Sequence, residues 1–311
     1  MYIGIDLGGT NMKAALVDEQ CQIVRKMSRP TGAERPSEEM VRDMALLCMD
    51  LMAEEKLQAS DLAGVGIGVP GSVDDERGVI IYTCNLNFRN TPIREMFQKI
   101  LNVPLNLGND ADCAALGESY VGASAGCRHS VMITLGTGVG GGIIINHKIY
   151  SGFNGIGGEL GHMVIQKDGE LCGCGRKGCW EAYSSATALI RMTREAMKKH
   201  PESKLWEVAT PETVDGSTAF KVEKTGDPAA KEVVDEYCAY LACGLANIVN
   251  IFQPEVLTLG GGVANEGENL LNRLKPFTDK EIYGKDVKMT RICLAQSGNA
   301  AGLIGAAMLC K

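Results

Sequence analysis

Residues 1–17 read MYIGIDLGGTNMKAALV, and the way this stretch turns decides the fold. Apolar residues alternate through Tyr2, Ile3 and Ile5, the chain turns at Gly8-Gly9, and apolar character resumes at Met12, Ala14, Leu16 and Val17. That is a strand, a glycine turn and a second strand. The pattern returns at VMITLGTGVGGGIII, where Ile133, Leu135 and residues 143–145 flank glycines at 136, 138, 140, 141 and 142. Superposing Asp6-Leu7-Gly8 on Thr134-Leu135-Gly136 aligns the two stretches without gaps. This predicts an internal duplication in which each half opens on a hairpin that offers backbone N–H groups to a ligand, so that two α/β domains face each other across a cleft.

Working outward, the apolar spacing predicts a helix over residues 38–55, a strand over 65–69 and a turn at Pro70-Gly71. A strand over 103–107 runs into Asn109-Asp110 and the helix-forming ADCAALGESY. Residues 229–252 carry apolar side chains at helical spacing, which predicts a long, largely buried helix leading through Pro254 into the strand VLTLGGG. The closing AAGLIGAAMLC is small and apolar enough for a helix packed tightly on a sheet. We expect a first domain over residues 1–115, completed by a C-terminal helix over about 298–311, and a larger second domain over 116–297. Residues 202–227 are polar, and no chemistry is assigned to them.

Composition narrows the function. With 311 residues, 45% of them hydrophobic and 22% charged, the chain is ordinary globular material for two domains. A net charge of -7 and a pI near 5.3 argue against a broad nucleic-acid or anionic-membrane surface. The N-terminus lacks the layout of a signal peptide, and no apolar run approaches a membrane span, so a cytoplasmic location is expected. Of the 12 cysteines, most lie scattered in apolar or helical contexts such as ALLCMD and are read as reduced core thiols.

Three do not. Residues 162–181, HMVIQKDGELCGCGRKGCWE, place His162, Cys172, Cys174 and Cys179 in one short segment, with glycines at 173, 175 and 178 to let the backbone fold around an ion. Thiolates and imidazole are preferred zinc ligands, so this reads as a Cys3His site; a chance cluster of buried thiols, or disulfides among them, is the plainer alternative. Four protein ligands leave no open position for water, which makes such a zinc structural.

The glycine loops need their context. A dinucleotide fingerprint or Walker loop requires a helix directly after the glycines, and neither hairpin supplies one. The spacing Gly8-Gly9-Thr10-Asn11-Met12-Lys13 suits a turn whose amides, with the Thr10 hydroxyl, approach phosphate oxygens; an ordinary tight hairpin is the alternative. Asp6 ends an apolar strand, where Mg2+ on a nucleotide would give its carboxylate a partner, unless it merely caps the turn. Gly260-Gly261-Gly262 follows a strand and could admit an adenine or ribose. Asn109-Asp110 stands where a strand hands over to a helix, so Asp110 lies near the positive end of the helix dipole and is expected to be ionised. An ionised carboxylate there can take the proton of an attacking alcohol in phosphoryl transfer, or one of the pair can simply N-cap the helix.

Together, Asp6-Leu7-Gly8-Gly9-Thr10, Gly68-Val69-Pro70-Gly71, Asn109-Asp110-Ala111, Leu135-Gly136-Thr137-Gly138-Val139-Gly140, Gly158-Glu159-Leu160-Gly161-His162 and Cys172-Gly173-Cys174-Gly175 resemble the ROK family of sugar kinases and repressors. The resemblance implies the actin-like, ribonuclease-H-like fold of two α/β domains, with ATP and sugar in the cleft. It implies Asp110 as catalytic base, and Asn109, Glu159, His162 and Glu181 as sugar contacts, with Gly71, Ser72 and Asn85 completing the pocket. It implies nucleotide contacts from Asp6, Gly8, Gly9, Thr10, Asn11, Lys13, Gly136, Thr137, Gly138, Gly140 and Gly260 to Gly262. His162, Cys172, Cys174 and Cys179 match the family's zinc ligands, and a homodimer is implied. The expected activity is ATP-dependent phosphorylation of a hexose, most simply glucose. N-acetylmannosamine, N-acetylglucosamine, fructose, mannose and allose are alternatives, because these sugars share their polar contacts. A sugar-responsive repressor is disfavoured by the acidic charge and by a sequence that opens directly on the first strand; an actin-like filament or chaperone ATPase has no use for the acids beside the zinc. One departure stands out: Trp180 sits between Cys179 and Glu181, where an aliphatic residue is expected.

Overall fold

The computed structural model describes residues 1–83, 85–284 and 286–311. Two units divide the chain, one of Met1–Met132, Gly142–Gly158 and Ala295–Lys311, the other of Ile133–Gly141 and Glu159–Leu294.

The opening hairpin is β1 (Tyr2–Leu7) and β2 (Asn11–Val17), with Leu7 opposite Met12, so Gly8, Gly9 and Thr10 make the turn. The chain continues through β3 (Ile23–Pro30), α1 (Ser37–Glu54) and β4 (Gly64–Val69), then β5 (Gly71–Asp74), β6 (Val79–Thr83) and β7 (Arg89–Thr91). It reaches α2 (Ile93–Gln98), β8 (Leu105–Asn109) and α3 (Asp110–Val121). Five strands form one sheet in the order β3-β2-β1-β4-β8, and β5-β6-β7 form a small antiparallel sheet that the sequence reading missed. The turn expected at Pro70-Gly71 is a bend at Pro70 alone, because Gly71 already pairs with Thr83 in β5. The strand expected over 103–107 starts two residues later, since Pro104 has no N–H to give the ladder and only its carbonyl is used, by Val65 N–H at 2.8 Å.

The second hairpin is β9 (His129–Leu135) and β10 (Val139–Ile145), again with a three-residue turn, Gly136, Thr137 and Gly138, followed by the short β11 (Lys148–Ile149). After it come α4 (Glu181–Ser184), α5 (Ala186–Lys199), α6 (Leu205–Val208), α7 (Thr218–Glu223), α8 (Pro228–Phe252), β12 (Val256–Gly260), α9 (Glu268–Glu281), β13 (Arg291–Leu294) and α10 (Ala301–Met308). This sheet runs β11-β10-β9-β12-β13, the same order as the first with each strand replaced by its counterpart. Residues 202–227 hold α6 and α7, helices of 4 and 6 residues that are too short to show periodicity in sequence.

Burial explains the layering of the first unit. Every residue of β4 is buried, as expected for a central parallel strand covered on both faces. Met40, Met44, Leu51 and Phe97 of α1 and α2 form one core with the sheet. Leu116 of α3 and Leu303, Ile304 and Ala307 of α10 form the other, around Ala15 and Val17. Helix α10 lies tight on the strands because Gly4 and Gly66 have no side chain: a Cβ on either would overlap the carbonyl of Leu303 or Ala306. In the second unit α8 is the central helix, with Tyr237, Cys238 and Leu241 fully buried. Its start is fixed by Asp227, whose carboxylate accepts the Ala230 N–H at 2.9 Å, and by Pro228 at the first helical position. Among the described residues no helix is long and apolar enough to cross a membrane.

Candidate functional site

In the first unit, the β1–β2 turn is held from outside the hairpin. Thr31, buried immediately after β3, donates its hydroxyl to the Gly8 carbonyl at 2.6 Å and its N–H to the Thr10 carbonyl at 2.9 Å. These bonds use turn carbonyls, so they fix the loop without consuming the amides of Gly9 or Thr10. Thr31 was not foreseen, since a threonine at a strand end carries no signal of its own. Asn85, expected in the sugar pocket, has its side-chain amide next to this turn: a Cβ on Gly9 would lie 3.1 Å from its Nδ2. Asp6 stands opposite Lys13 in the strand register. Burial pushes the Asp6 carboxyl above its ordinary range, and the Lys13 charge pulls it partly back. A carboxylate left short of compensation by one lysine is chemically suited to a hard dication such as Mg2+.

At the β8–α3 junction the two neighbours divide their work. Asn109 is the N-cap: its Oδ1 accepts the N–H groups of Ala111 at 2.8 Å and Asp112 at 3.3 Å, while Nδ2 donates to the Gly71 carbonyl at 3.2 Å. One Nδ2 hydrogen remains for a ligand. Asp110 is the first helical residue, exposed, with Oδ1 accepting the Ala111 N–H at 2.9 Å. Ser72 follows Gly71 on β5, half-buried and paired with Tyr82. Burial, then the charges of Asp112, Asp110 and Asp6, hold the Cys113 thiol well above its ordinary value, so Asp6 and Asp110 act on one buried atom.

In the second unit, the β9–β10 turn closes through Gly136 N–H to the Gly138 carbonyl at 3.0 Å. The start of α5 holds it: Ala186 N–H donates to the Gly136 carbonyl at 2.8 Å and the Thr187 hydroxyl to the Thr137 carbonyl at 2.8 Å. Gly140 lies half-buried on β10. Gly261 has φ +86°, and a Cβ there would sit 2.5 Å from the Leu135 carbonyl, so Gly261, between Gly260 and Gly262, lies against the end of β9 that carries this turn.

The four residues read as zinc ligands come together. One ligand atom from each of His162, Cys172, Cys174 and Cys179 lies within 4.8 Å of all the others. Cys172 Sγ is 3.7 Å from His162 Nδ1, and Cys174 Sγ is 3.7 Å from Cys179 Sγ. Zn–S and Zn–N bonds of about 2.3 and 2.0 Å in a tetrahedron require S···S of about 3.8 Å and S···N of about 3.5 Å, so these two contacts fit the metal. The ribbon is held by the bridges Val164–Cys179 and Leu171–Lys177 and by the Gly175 N–H to the Cys172 carbonyl at 2.9 Å. Burial pushes the Cys172 thiol up to about 12 and raises that of Cys179. The exposed Cys174 is lowered, chiefly by the Arg176 backbone N–H. Without a cation the buried pair therefore keeps its protons, and a dication supplies the charge that releases them.

The acids stand around this cluster. Glu159 and His162 flank a 3-10 turn closed by the His162 N–H to the Glu159 carbonyl at 3.0 Å, and Glu159 is exposed. His162 turns Nδ1 toward Cys172, which leaves Nε2 for another partner. Glu181 opens α4: its Oε1 accepts from the Cys172 thiol at 3.4 Å and its Oε2 from the Val139 N–H at 3.0 Å. Trp180 is fully buried, donating Nε1–H to the Tyr240 carbonyl at 3.0 Å. Space for the indole comes from Gly244 on α8, where a Cβ would overlap the ring.

Comparison with known proteins finds matches over the whole length of the chain. Residues 2–311 match the model of the ROK family. The glucokinase of Thermotoga maritima is 36% identical over 311 residues, covering 99% of this chain and 96% of that one. The structure of a ROK family glucokinase from Streptomyces griseus in complex with glucose and AMPPNP superposes with a TM-score of 0.81 at 33% identity, over 99% of this chain and 98% of that one. A ROK hexokinase from Thermus thermophilus superposes with a TM-score of 0.85 at 32% identity, over 99% and 97%.

Proposed function

The chain belongs to the ROK family, with its actin-like fold, and we propose that it is an ATP-dependent sugar kinase that converts glucose to glucose 6-phosphate. The observation that carries the reading is the β8–α3 junction, where Asn109 takes over the cap and Asp110 is left at the mouth of the helix as an exposed carboxylate. Asp110 accepts the proton of the sugar 6-hydroxyl as that oxygen bonds to the γ-phosphorus and the bond from phosphorus to the ADP oxygen breaks. Transfer is direct, with no phosphoenzyme.

Asn109, Glu159, His162 and Glu181, with Gly71 and Ser72, hold the sugar hydroxyls. A site built on such hydrogen bonds rejects analogues that lack one, because its own polar groups are then left unpaired. Gly8, Gly9, Thr10, Asn11 and Lys13 from one hairpin, and Gly136, Thr137, Gly138 and Gly140 from the other, are assigned to the phosphates, with donors other than the Gly8 and Gly136 amides, which close their own turns, and Gly260 to Gly262 are assigned to the nucleoside. Asn85 is assigned to the same pocket, on the side of the first turn, where Gly9 meets its amide. Asp6 would hold Mg2+, which neutralises developing phosphate charge when bound. His162, Cys172, Cys174 and Cys179 would hold a structural zinc that fixes the imidazole's tautomer and orientation. Family resemblance supports a homodimer and a cytoplasmic location.

A coupled ADP-release assay over glucose, N-acetylmannosamine, N-acetylglucosamine, fructose, mannose and allose tests the reading. The highest kcat/KM is expected for glucose, and Asp110→Asn is expected to lower kcat about 10²–10⁴-fold with sugar binding retained. Absence of phosphorylation of every sugar by zinc-replete protein would overturn the assignment, and near-normal turnover by D110N would remove Asp110 as the base.

A further inference from the structure

Gly138 lies on the turn assigned to the nucleotide, yet what occupies the space over its Cα is the carboxylate of Glu181. A Cβ built there would overlap Oε2 and lie 3.2 Å from Cδ. That carboxylate is anchored on the next amide, Val139 N–H, at 3.0 Å. Its other oxygen, Oε1, faces Cys172, whose Sγ is in turn 3.7 Å from His162 Nδ1. Glu181 is therefore oriented from two sides, and the Val139 side is open to it only because residue 138 has no side chain. By contrast, nothing stands within 4 Å of a Cβ on Gly136, the other glycine of the same turn, so close approach to a protein group is specific to Gly138.

The Val139 amide is the backbone donor to this carboxylate, and Oε1 keeps lone pairs with which to accept a hydroxyl.

We propose that Gly138 is a positioning residue for the sugar: by leaving the Val139 amide accessible, it lets the phosphate turn hold Glu181 in the orientation in which its second oxygen receives a sugar hydroxyl. This rests on the reading of Glu181 as a sugar contact. It makes the β9–β10 turn part of both substrate sites, so a lesion on the nucleotide loop is felt first in sugar affinity.

The test is glucose binding measured by calorimetry without nucleotide, on zinc-replete wild type, Gly138→Ala, Glu181→Ala and the double variant, with zinc content determined for each. A charge-assisted hydrogen bond lost or misdirected corresponds to a weakening of about tenfold or more. That is expected for G138A and for E181A, while the double variant is expected to match E181A, because G138A acts through the same carboxylate. In steady-state kinetics G138A should raise the glucose KM more than the ATP KM. Unchanged glucose affinity in G138A, or effects that add fully in the double variant, would overturn the proposal. If E181A itself binds glucose as wild type does, the sugar-contact reading fails and the proposal fails with it. If E181A weakens binding and G138A does not, the positioning role alone is refuted. A G138A protein that lacks its zinc counts against it as well, since the lesion would then be one of general folding.

Discussion

Replacing Gly244 by alanine sets two physical effects of opposite sign against each other. Gly244 is an interior residue of α8. On helix propensity alone, Gly→Ala in such a position stabilises by about 0.8–1 kcal/mol. The structure predicts the reverse, because the new Cβ would fall inside the indole of Trp180, overlapping ring atoms rather than the movable end of a flexible chain. The ring cannot swing away: it is fully buried and its Nε1–H is bound to the Tyr240 carbonyl at 3.0 Å. Overpacking of this kind costs about 1–3 kcal/mol and occasionally more, so after the propensity gain a net loss of up to about 2 kcal/mol is expected. Trp180→Leu alone should cost about 2–3 kcal/mol through the cavity it leaves. The two together should cost less than their sum, since alanine partly fills the space the indole vacates. Urea unfolding followed by far-ultraviolet circular dichroism measures all three, a probe chosen because one variant removes a tryptophan. A G244A protein more stable than wild type, or simple additivity in W180L/G244A, would refute the packing argument. Because Trp180 sits between Cys179 and Glu181, G244A should also raise the glucose KM.

Three further outcomes follow from the same structure. Cys174→Ala should reduce bound zinc, read by metal analysis, and weaken glucose binding before it abolishes nucleotide binding; full glucose affinity in zinc-free protein would make the cluster a remote clip. Asp227→Ala should cost about 2 kcal/mol at neutral pH, since it removes the cap of α8 and leaves the Lys204 N–H and Ser203 hydroxyl without their acceptor. Burial raises the Asp227 carboxyl but its backbone and hydroxyl donors outweigh that, so it lies below the ordinary range. Its stabilisation is then present above the unfolded value and lost as pH falls through the folded one, so wild-type and D227A stabilities should converge in acid, a gap that persists there counting against the assignment. Asp6→Asn should abolish turnover yet stabilise the fold at pH 7, because a carboxyl raised by burial destabilises the native state once ionised; the gain should vanish below the unfolded value near ~3.9, and a destabilised D6N would contradict this.

What could be read from sequence was what repeats or clusters. The two hairpins, α1, α8 and α10 announce themselves through period and glycine, and the four residues of the Cys3His cluster through chemistry confined to 18 positions of chain, His162 to Cys179. What could not be read was whatever depends on a partner distant in sequence. β5, β6 and β7 form a three-stranded sheet whose short strands mix polar and apolar residues, and the pairing of Gly71 with Thr83 leaves no local trace. Trp180 looked like a departure because its compensation, Gly244, lies 64 residues later. Gly138 looked like a phosphate glycine because the turn around it matches the first one, yet its neighbour in space is Glu181, 43 residues on.

The duplication also accounts for why only the second half carries a cysteine cluster. Both hairpins need their glycine turn held still if its amides are to receive phosphate without reorganising. In the first, the third strand does this: β3 is 8 residues long, and Thr31 at its end reaches the carbonyls of Gly8 and Thr10. The corresponding strand of the second, β11, has only 2 residues and cannot reach its own turn. The support comes instead from the segment after the cysteines, where Glu181 takes the Val139 amide, Ala186 the Gly136 carbonyl and Thr187 the Thr137 carbonyl. Those three residues lie within eight positions of Cys179, on a chain that enters α4 directly from the metal ribbon. A short ribbon rich in glycine has little apolar surface with which to fix itself, and four ligands to one ion would supply the rigidity that β3 provides in the other half. On this reasoning the cluster is the structural counterpart of a strand, and the residues proposed as sugar acids stand beside the β9–β10 turn because one brace serves both.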